Sequence, residues 1–203
     1  MINNVSVDID TSKMQTGPVS KIVCLGDSIT WGYPYGHDYS WVGLTASELA
    51  VPLVNRGING ETAENLLLRF KDDVIAQHPS HLVILVGAND ASLDISLQEY
   101  QQHIKSLMDK SAANGITPIL SLPVPALDQW LEYRLDKYRL WLKHYVQENG
   151  HLLLDFTPAM LSADGSVNPA CYSDEVHPSK TGYSSMSNVF KEFCRNSLGV
   201  AGF

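Results

Sequence analysis

Lys21-Ile22-Val23-Cys24-Leu25-Gly26-Asp27-Ser28-Ile29-Thr30-Trp31-Gly32 decides how the rest of the chain is read. Positions 22–25 are all apolar, as a strand buried on both faces of a parallel sheet must be. The run stops at Gly26, and the side chains that follow are Asp27 and Ser28, which such a strand delivers to the crevice at its carboxyl end. Ser28 is therefore a candidate nucleophile. A serine hydroxyl is weak on its own and needs a base to take its proton and donors to hold the oxyanion that attack creates.

Outward from this stretch the same rhythm repeats. Short β-prone runs are expected over 51–54, 81–86, 117–122 and 152–156. Helical spacing is expected over 41–50, 61–76, 97–113, 130–148 and 179–196. Strand and helix alternate roughly every thirty residues, which implies βαβ units with right-handed crossovers. The expected fold is a single three-layer α/β/α domain around a five-stranded parallel, flavodoxin-like sheet of order 2-1-3-4-5. Residues 1–20 read as a polar N-terminal arm.

Composition narrows the function. A length of 203 residues suits one substantial core, and a net charge of −8 opposes the lysine and arginine footprint that nucleic acid requires. No apolar run approaches the roughly 20 residues of a bilayer span, so membrane insertion is not expected. The start of the chain lacks the basic and apolar regions of a secretory signal, so a cytoplasmic location is expected. Cys24, Cys171 and Cys194 are odd in number and have no metal-type pairing. Nothing in the sequence sets the oligomeric state.

In the expected topology the first three strands open on one edge, so Ser28, Gly57 and Asn89 can meet there. Gly57 offers a backbone N–H, Asn89 a side-chain NH₂ and Ser28 its own N–H, three donors for one oxyanion. Taken singly, Gly57 and Asn89 also suit purely local roles in turns. Among the histidines, His177 is the best base, because Asp174 stands three residues before it and a helical turn brings i and i+3 side chains together. Asp27 and Trp31 flank the serine and are the candidate substrate contacts; Trp31 opens an aromatic loop with Tyr33, Tyr35, Tyr39 and Trp41 that suits either a sugar or acyl wall or plain helix and loop packing. Asp27 and Asp90 have no neighbouring histidine or third carboxylate at ligand spacing, so no metal is expected, and they suit hydrogen bonds to backbone.

Four blocks in order resemble the SGNH hydrolase superfamily, which contains the GDSL lipases and esterases. They are Gly26-Asp27-Ser28-Ile29-Thr30-Trp31-Gly32, Asn55-Arg56-Gly57-Ile58-Asn59-Gly60, Gly87-Ala88-Asn89-Asp90 and Asp174-Glu175-Val176-His177. The resemblance implies Ser28 as nucleophile, Asp174 and His177 as the rest of a triad, and Ser28, Gly57 and Asn89 as the oxyanion hole. It implies a serine esterase that needs no cofactor and whose partner is a small-molecule ester, with short acyl groups favoured by the polar, aromatic first loop. Two rivals stand beside it: an acyltransferase to a sugar or alcohol, and a non-catalytic module binding carbohydrate or nucleotide in the same crevice.

Overall fold

The structure, a computed structural model, describes residues 17–202. The expected N-terminal arm lies outside the described residues as far as position 16. Five strands, β1 (Ile22–Gly26), β2 (Leu53–Gly57), β3 (His81–Leu85), β4 (Thr117–Ser121) and β5 (Leu152–Leu154), form one sheet of order β2-β1-β3-β4-β5. Every pairing is parallel, with Gly26 of β1 opposite Gly57 on one side and Leu85 on the other. The expected order 2-1-3-4-5 is the one observed.

Alternation along the strands feeds two cores. Val23, Leu25, Leu82 and Ile84 join one face, covered by α3 (Ala63–Asp73), α5 (Leu97–Ala113) and α6 (Gln129–Asn149). Ile22, Cys24, Val83 and Leu85 join the other, covered by α2 (Trp41–Ala46) and α7 (Lys180–Leu198). Each fully buried aliphatic or aromatic side chain contributes about 1.5–3 kcal/mol relative to exposure, so the central strands are anchored from both sides. Two short helices, α1 (Ser28–Trp31) and α4 (Ala88–Ser92), start where β1 and β3 end. Among the described residues no helix is long and apolar enough to cross a membrane.

The largest departure from the expected elements lies at β2. The strand was expected over 51–54 and the helix before it over 41–50, but α2 stops at Ala46 and β2 runs from Leu53 through Asn55 and Arg56 to Gly57. As an edge strand it is only half-buried and so carries polar residues within its span. The chain turns after Gly57 rather than before it.

Candidate active site

Asp27 caps α1, its carboxylate accepting the Ile29 N–H at 2.9 Å, and this fixes Ser28 as the first helical residue. At that position the backbone N–H has no partner within the helix; among the described residues no acceptor takes the Ser28 N–H. Ser28 Oγ lies 3.0 Å from His177 Nε2, and His177 Nδ1 lies 2.8 Å from Asp174 Oδ2. With the ring proton on Nδ1 and donated to Asp174, Nε2 presents a lone pair to the serine hydroxyl. Three residues drawn from opposite ends of the chain thus meet in one hydrogen-bonded line.

Asp174 and His177 do not sit on the helical turn that their spacing suggested. They occupy a loop pinched by a bridge between Tyr172 and Pro178, in which Ser173 N–H donates to His177 O at 2.8 Å. Asp174 Oδ1 accepts the Val176 and His177 backbone N–H groups at 2.8 and 2.7 Å, so one carboxylate oxygen folds the loop while the other holds the ring. Partial burial pushes the Asp174 carboxyl up, but the two backbone N–H groups and the His177 ring outweigh this and hold it below the usual carboxylate range. Ser179 caps α7 directly after the loop.

Asn89, in the first turn of α4, donates one Nδ2 hydrogen to Glu61 O at 2.9 Å and keeps its second hydrogen. The cavity over Ser28 has a volume of about 260 Å³ and is lined by Tyr33, Asn59, Gly60, Asn89, Asp174 and His177. The Tyr33 ring stands 4.6 Å from that of His177, and its carbonyl accepts the Tyr183 hydroxyl at 2.8 Å.

Three of the expected site residues are not in this cavity as anticipated. Gly57 is the first: Ile58 N–H points inward to Gly26 O at 3.1 Å, so by strand alternation Gly57 N–H points to the open edge, where Asn55 Oδ1 takes it at 2.9 Å. Its glycine character answers to packing, since a Cβ there would stand 2.1 Å from Trp31 N. The glycine that reaches the cavity is Gly60, at φ +81° with open space around it, and among the described residues no acceptor takes its N–H. Asp27 is the second. Its carboxylate is buried against the α1 backbone and burial pushes it up to about 7, so it shapes the turn and does not face a ligand. Asp90 acts in the same manner, accepting the Ala63 N–H at 3.1 and 3.2 Å from its two oxygens. Trp31 lines a neighbouring cleft rather than the Ser28 cavity. The signal for Gly60 was present in the sequence: Thr62 and Asn65 form a capping box that starts α3, so the last glycine before it had to be the turn.

A model of the GDSL-like lipase/acylhydrolase family matches residues 24–184. The acetylxylan esterase of Geobacillus stearothermophilus is 28% identical over 207 residues, covering 87% of this chain and 94% of that one. A solved G-D-S-L family protein from Desulfitobacterium hafniense superposes with a TM-score of 0.79 at 35% identity, covering 85% of this chain and 98% of that one. The lipoprotein YqeF of Bacillus subtilis is 33% identical over 120 residues, and the match spans about half of its length, 49%, and 53% of this chain.

Proposed function

Because the chain belongs to the GDSL-like lipase/acylhydrolase family and is a carboxylic ester hydrolase, we propose that it cleaves small esters through an acyl-enzyme on Ser28. His177 Nε2 takes the serine proton as Oγ attacks the ester carbonyl, and the Asp174 carboxylate stabilises the imidazolium that forms. The oxyanion is held by Ser28 N–H, Gly60 N–H and the second Nδ2 hydrogen of Asn89. Collapse of the intermediate breaks the ester C–O bond, and His177 returns the proton to the departing alkoxide. Water, deprotonated by the same ring, then attacks the acyl-serine and releases the acid.

The observation that carries this reading is the continuous line from Ser28 Oγ through both ring nitrogens of His177 to Asp174, at 3.0 and 2.8 Å. The small cavity, about 260 Å³, favours a short acyl group. The acetyl specificity in the name of the Geobacillus relative supports the same choice. Incubation with p-nitrophenyl acetate tests it: the protein releases p-nitrophenolate and an acid quench traps an acetyl group on Ser28, while Ser28→Ala and His177→Ala do neither. An inert wild type ends the proposal, and transfer of the acetyl group to an added alcohol in place of water would make the protein a transferase.

A further inference from the structure

The pair Asn-Gly stands at positions 59–60, 114–115 and 149–150. An asparagine before glycine is open to attack on its own side chain, because glycine has no Cβ to keep the next backbone nitrogen away from the amide carbon. All three pairs are exposed, and their glycines have φ of 81°, 69° and 64°, so neither exposure nor φ separates them. Hydrogen bonding does. Asn114 and Asn149 stand at the ends of α5 and α6, where Asn114 Nδ2 donates to Lys110 O and Asn149 Nδ2 to Tyr145 O, both at 2.8 Å. Gly115 N–H donates to Ala112 O at 3.0 Å and Gly150 N–H to Val146 O. Attack needs the side chain swung off its carbonyl and the glycine nitrogen stripped of its proton, so both bonds must break first. The negative end of each helix dipole also opposes an amide anion there.

Asn59-Gly60 is free of these restraints. The side-chain bonds around it belong to Asn55, Thr62 and Asn65, and among the described residues none engages Asn59. Gly60 N–H has no acceptor among them, and the space beside its α-carbon is open. We propose that Asn59 is a deamidation site and that its modification shuts the enzyme down, the second half resting on the reading of Gly60 N–H as an oxyanion donor. Gly60 N loses its proton and bonds to Asn59 Cγ; the Cγ–Nδ2 bond breaks, and ammonia leaves with a proton regained from water. The five-membered imide so formed has no N–H at position 60. Water then opens it at either carbonyl, so the net change exchanges water for ammonia with no oxidation. One opening leaves an aspartate at 59 and sets a carboxylate on the cavity wall, where negative charge has to develop in the reaction. The other runs the chain through the side-chain carbon, and the added methylene moves Gly60 N–H off its line. Each product weakens the same donor.

The test ages the purified full-length protein in mildly alkaline buffer, where amide protons leave faster, and follows it by peptide mapping and by p-nitrophenyl acetate turnover. The amide-to-acid exchange is expected at Asn59 roughly tenfold or more faster than at Asn114 and Asn149, since two hydrogen bonds each slow those sites a few-fold. Methyl label from an isoaspartate methyltransferase is expected on the Asn59 peptide. Turnover declines in step with the loss of intact Asn59, modified molecules being about 10²- to 10³-fold slower. Asn59→Gln, whose longer side chain closes the ring poorly, is scored against its own starting rate and holds that rate over the same interval. Equal exchange at all three pairs overturns the proposal, as does an Asn59 that stays intact. Turnover that outlasts Asn59, or that decays alike in wild type and Asn59→Gln, overturns it as well. If no form turns over the ester at the start, the esterase reading falls alone, and the peptide map by itself decides the deamidation site.

Discussion

Ser28 and Asn89 stand where two central strands run out, whereas Asp174 and His177 stand on a loop with no strand beneath it. The first half is fixed by the sheet: Ser28 is 6% exposed, and β1 and β3 are buried along their whole length. The second half is open, with the Asp174 and His177 side chains 47% and 23% exposed. Polar bonds hold it: Asp174 to its own backbone, Ser173 N–H donating to His177 O at 2.8 Å, Glu175 O accepting Leu127 N–H at 2.8 Å, and Tyr172 hydroxyl donating to Pro125 O at 2.5 Å. The segment it leans on is clamped in turn by buried Arg139, which donates to the Pro123 and Val124 carbonyls and pairs with Glu132. The proposed nucleophile thus rests on the hydrophobic core, and the proposed base rests on polar contacts. Changes to the loop half are therefore expected to act on rate, and changes beneath the strand ends on stability.

The largest effect is expected from Asp174→Asn. The amide oxygen can still accept the Val176 and His177 N–H groups and preserve the loop, but the NH₂ now faces Nδ1 and favours the wrong tautomer. A loss of about 10³- to 10⁴-fold in kcat on p-nitrophenyl acetate is expected, with only a small fall in melting temperature from the lost carboxylate charge. Asn89→Ala, at the strand-end half, removes a proposed oxyanion donor and should lower kcat by about 10²- to 10³-fold. It also frees Glu61 O, so a modest stability loss accompanies it.

Within the strand-end half, the two glycines of the second block separate packing from chemistry. Gly57→Ala would drive a Cβ into Trp31 N and prise β2 from α1, at a cost of about 3 kcal/mol or more. Gly60→Ala meets no neighbour and costs only its positive φ, about 1–2 kcal/mol. Thermal melts of the two variants should therefore rank Gly57→Ala well below Gly60→Ala, and equal melting points would contradict the packing role of Gly57.

The same contrast explains what was legible in the sequence. β1 and β3 were readable because burial along their whole length writes a nearly continuous apolar run, and the order of the sheet followed from the alternation of strand and helix. β2 was misplaced because an edge strand tolerates Asn55 and Arg56, which look like loop residues, and that displacement drew attention to Gly57 where Gly60 is the glycine that lines the Ser28 cavity. In the loop half, the spacing of Asp174 and His177 marked the pair but not its geometry, since an aspartate folding its own turn gives the same spacing as a helix. Its links to Leu127 and Pro125 join segments far apart in sequence, and no local pattern announces them.

A smaller effect tests those links. Tyr172→Phe deletes the bond to Pro125 and leaves the ring in place, at a cost of about 1 kcal/mol of stability. If the loop depends on that contact to aim His177, kcat falls a few-fold as well, and a variant with unaltered kcat would assign the positioning to the loop's other bonds, those of Glu175 O and Ser173 among them.

The two halves should also respond to pH with opposite signs. Burial, with the Asp90 carboxylate adding to it, pushes Asp27 up to about 7, and burial pushes Asp90 up to about 6. An aspartate in the unfolded chain titrates near about 3.9, so between about pH 4 and 7 the native state keeps protons that the unfolded state has lost, and stability falls as pH rises through that window. Asp174, held below the usual range, contributes stability above the unfolded value that is lost as pH falls through its depressed one. Asp27→Asn retains an acceptor for the Ile29 N–H and has no proton to release. Its melting temperature should therefore drop by a few degrees less than that of the wild type between about pH 5 and about pH 7.5. Parallel curves would mean that Asp27 is already ionised in the native protein at the lower pH, and that the turn beneath Ser28 tolerates a buried charge.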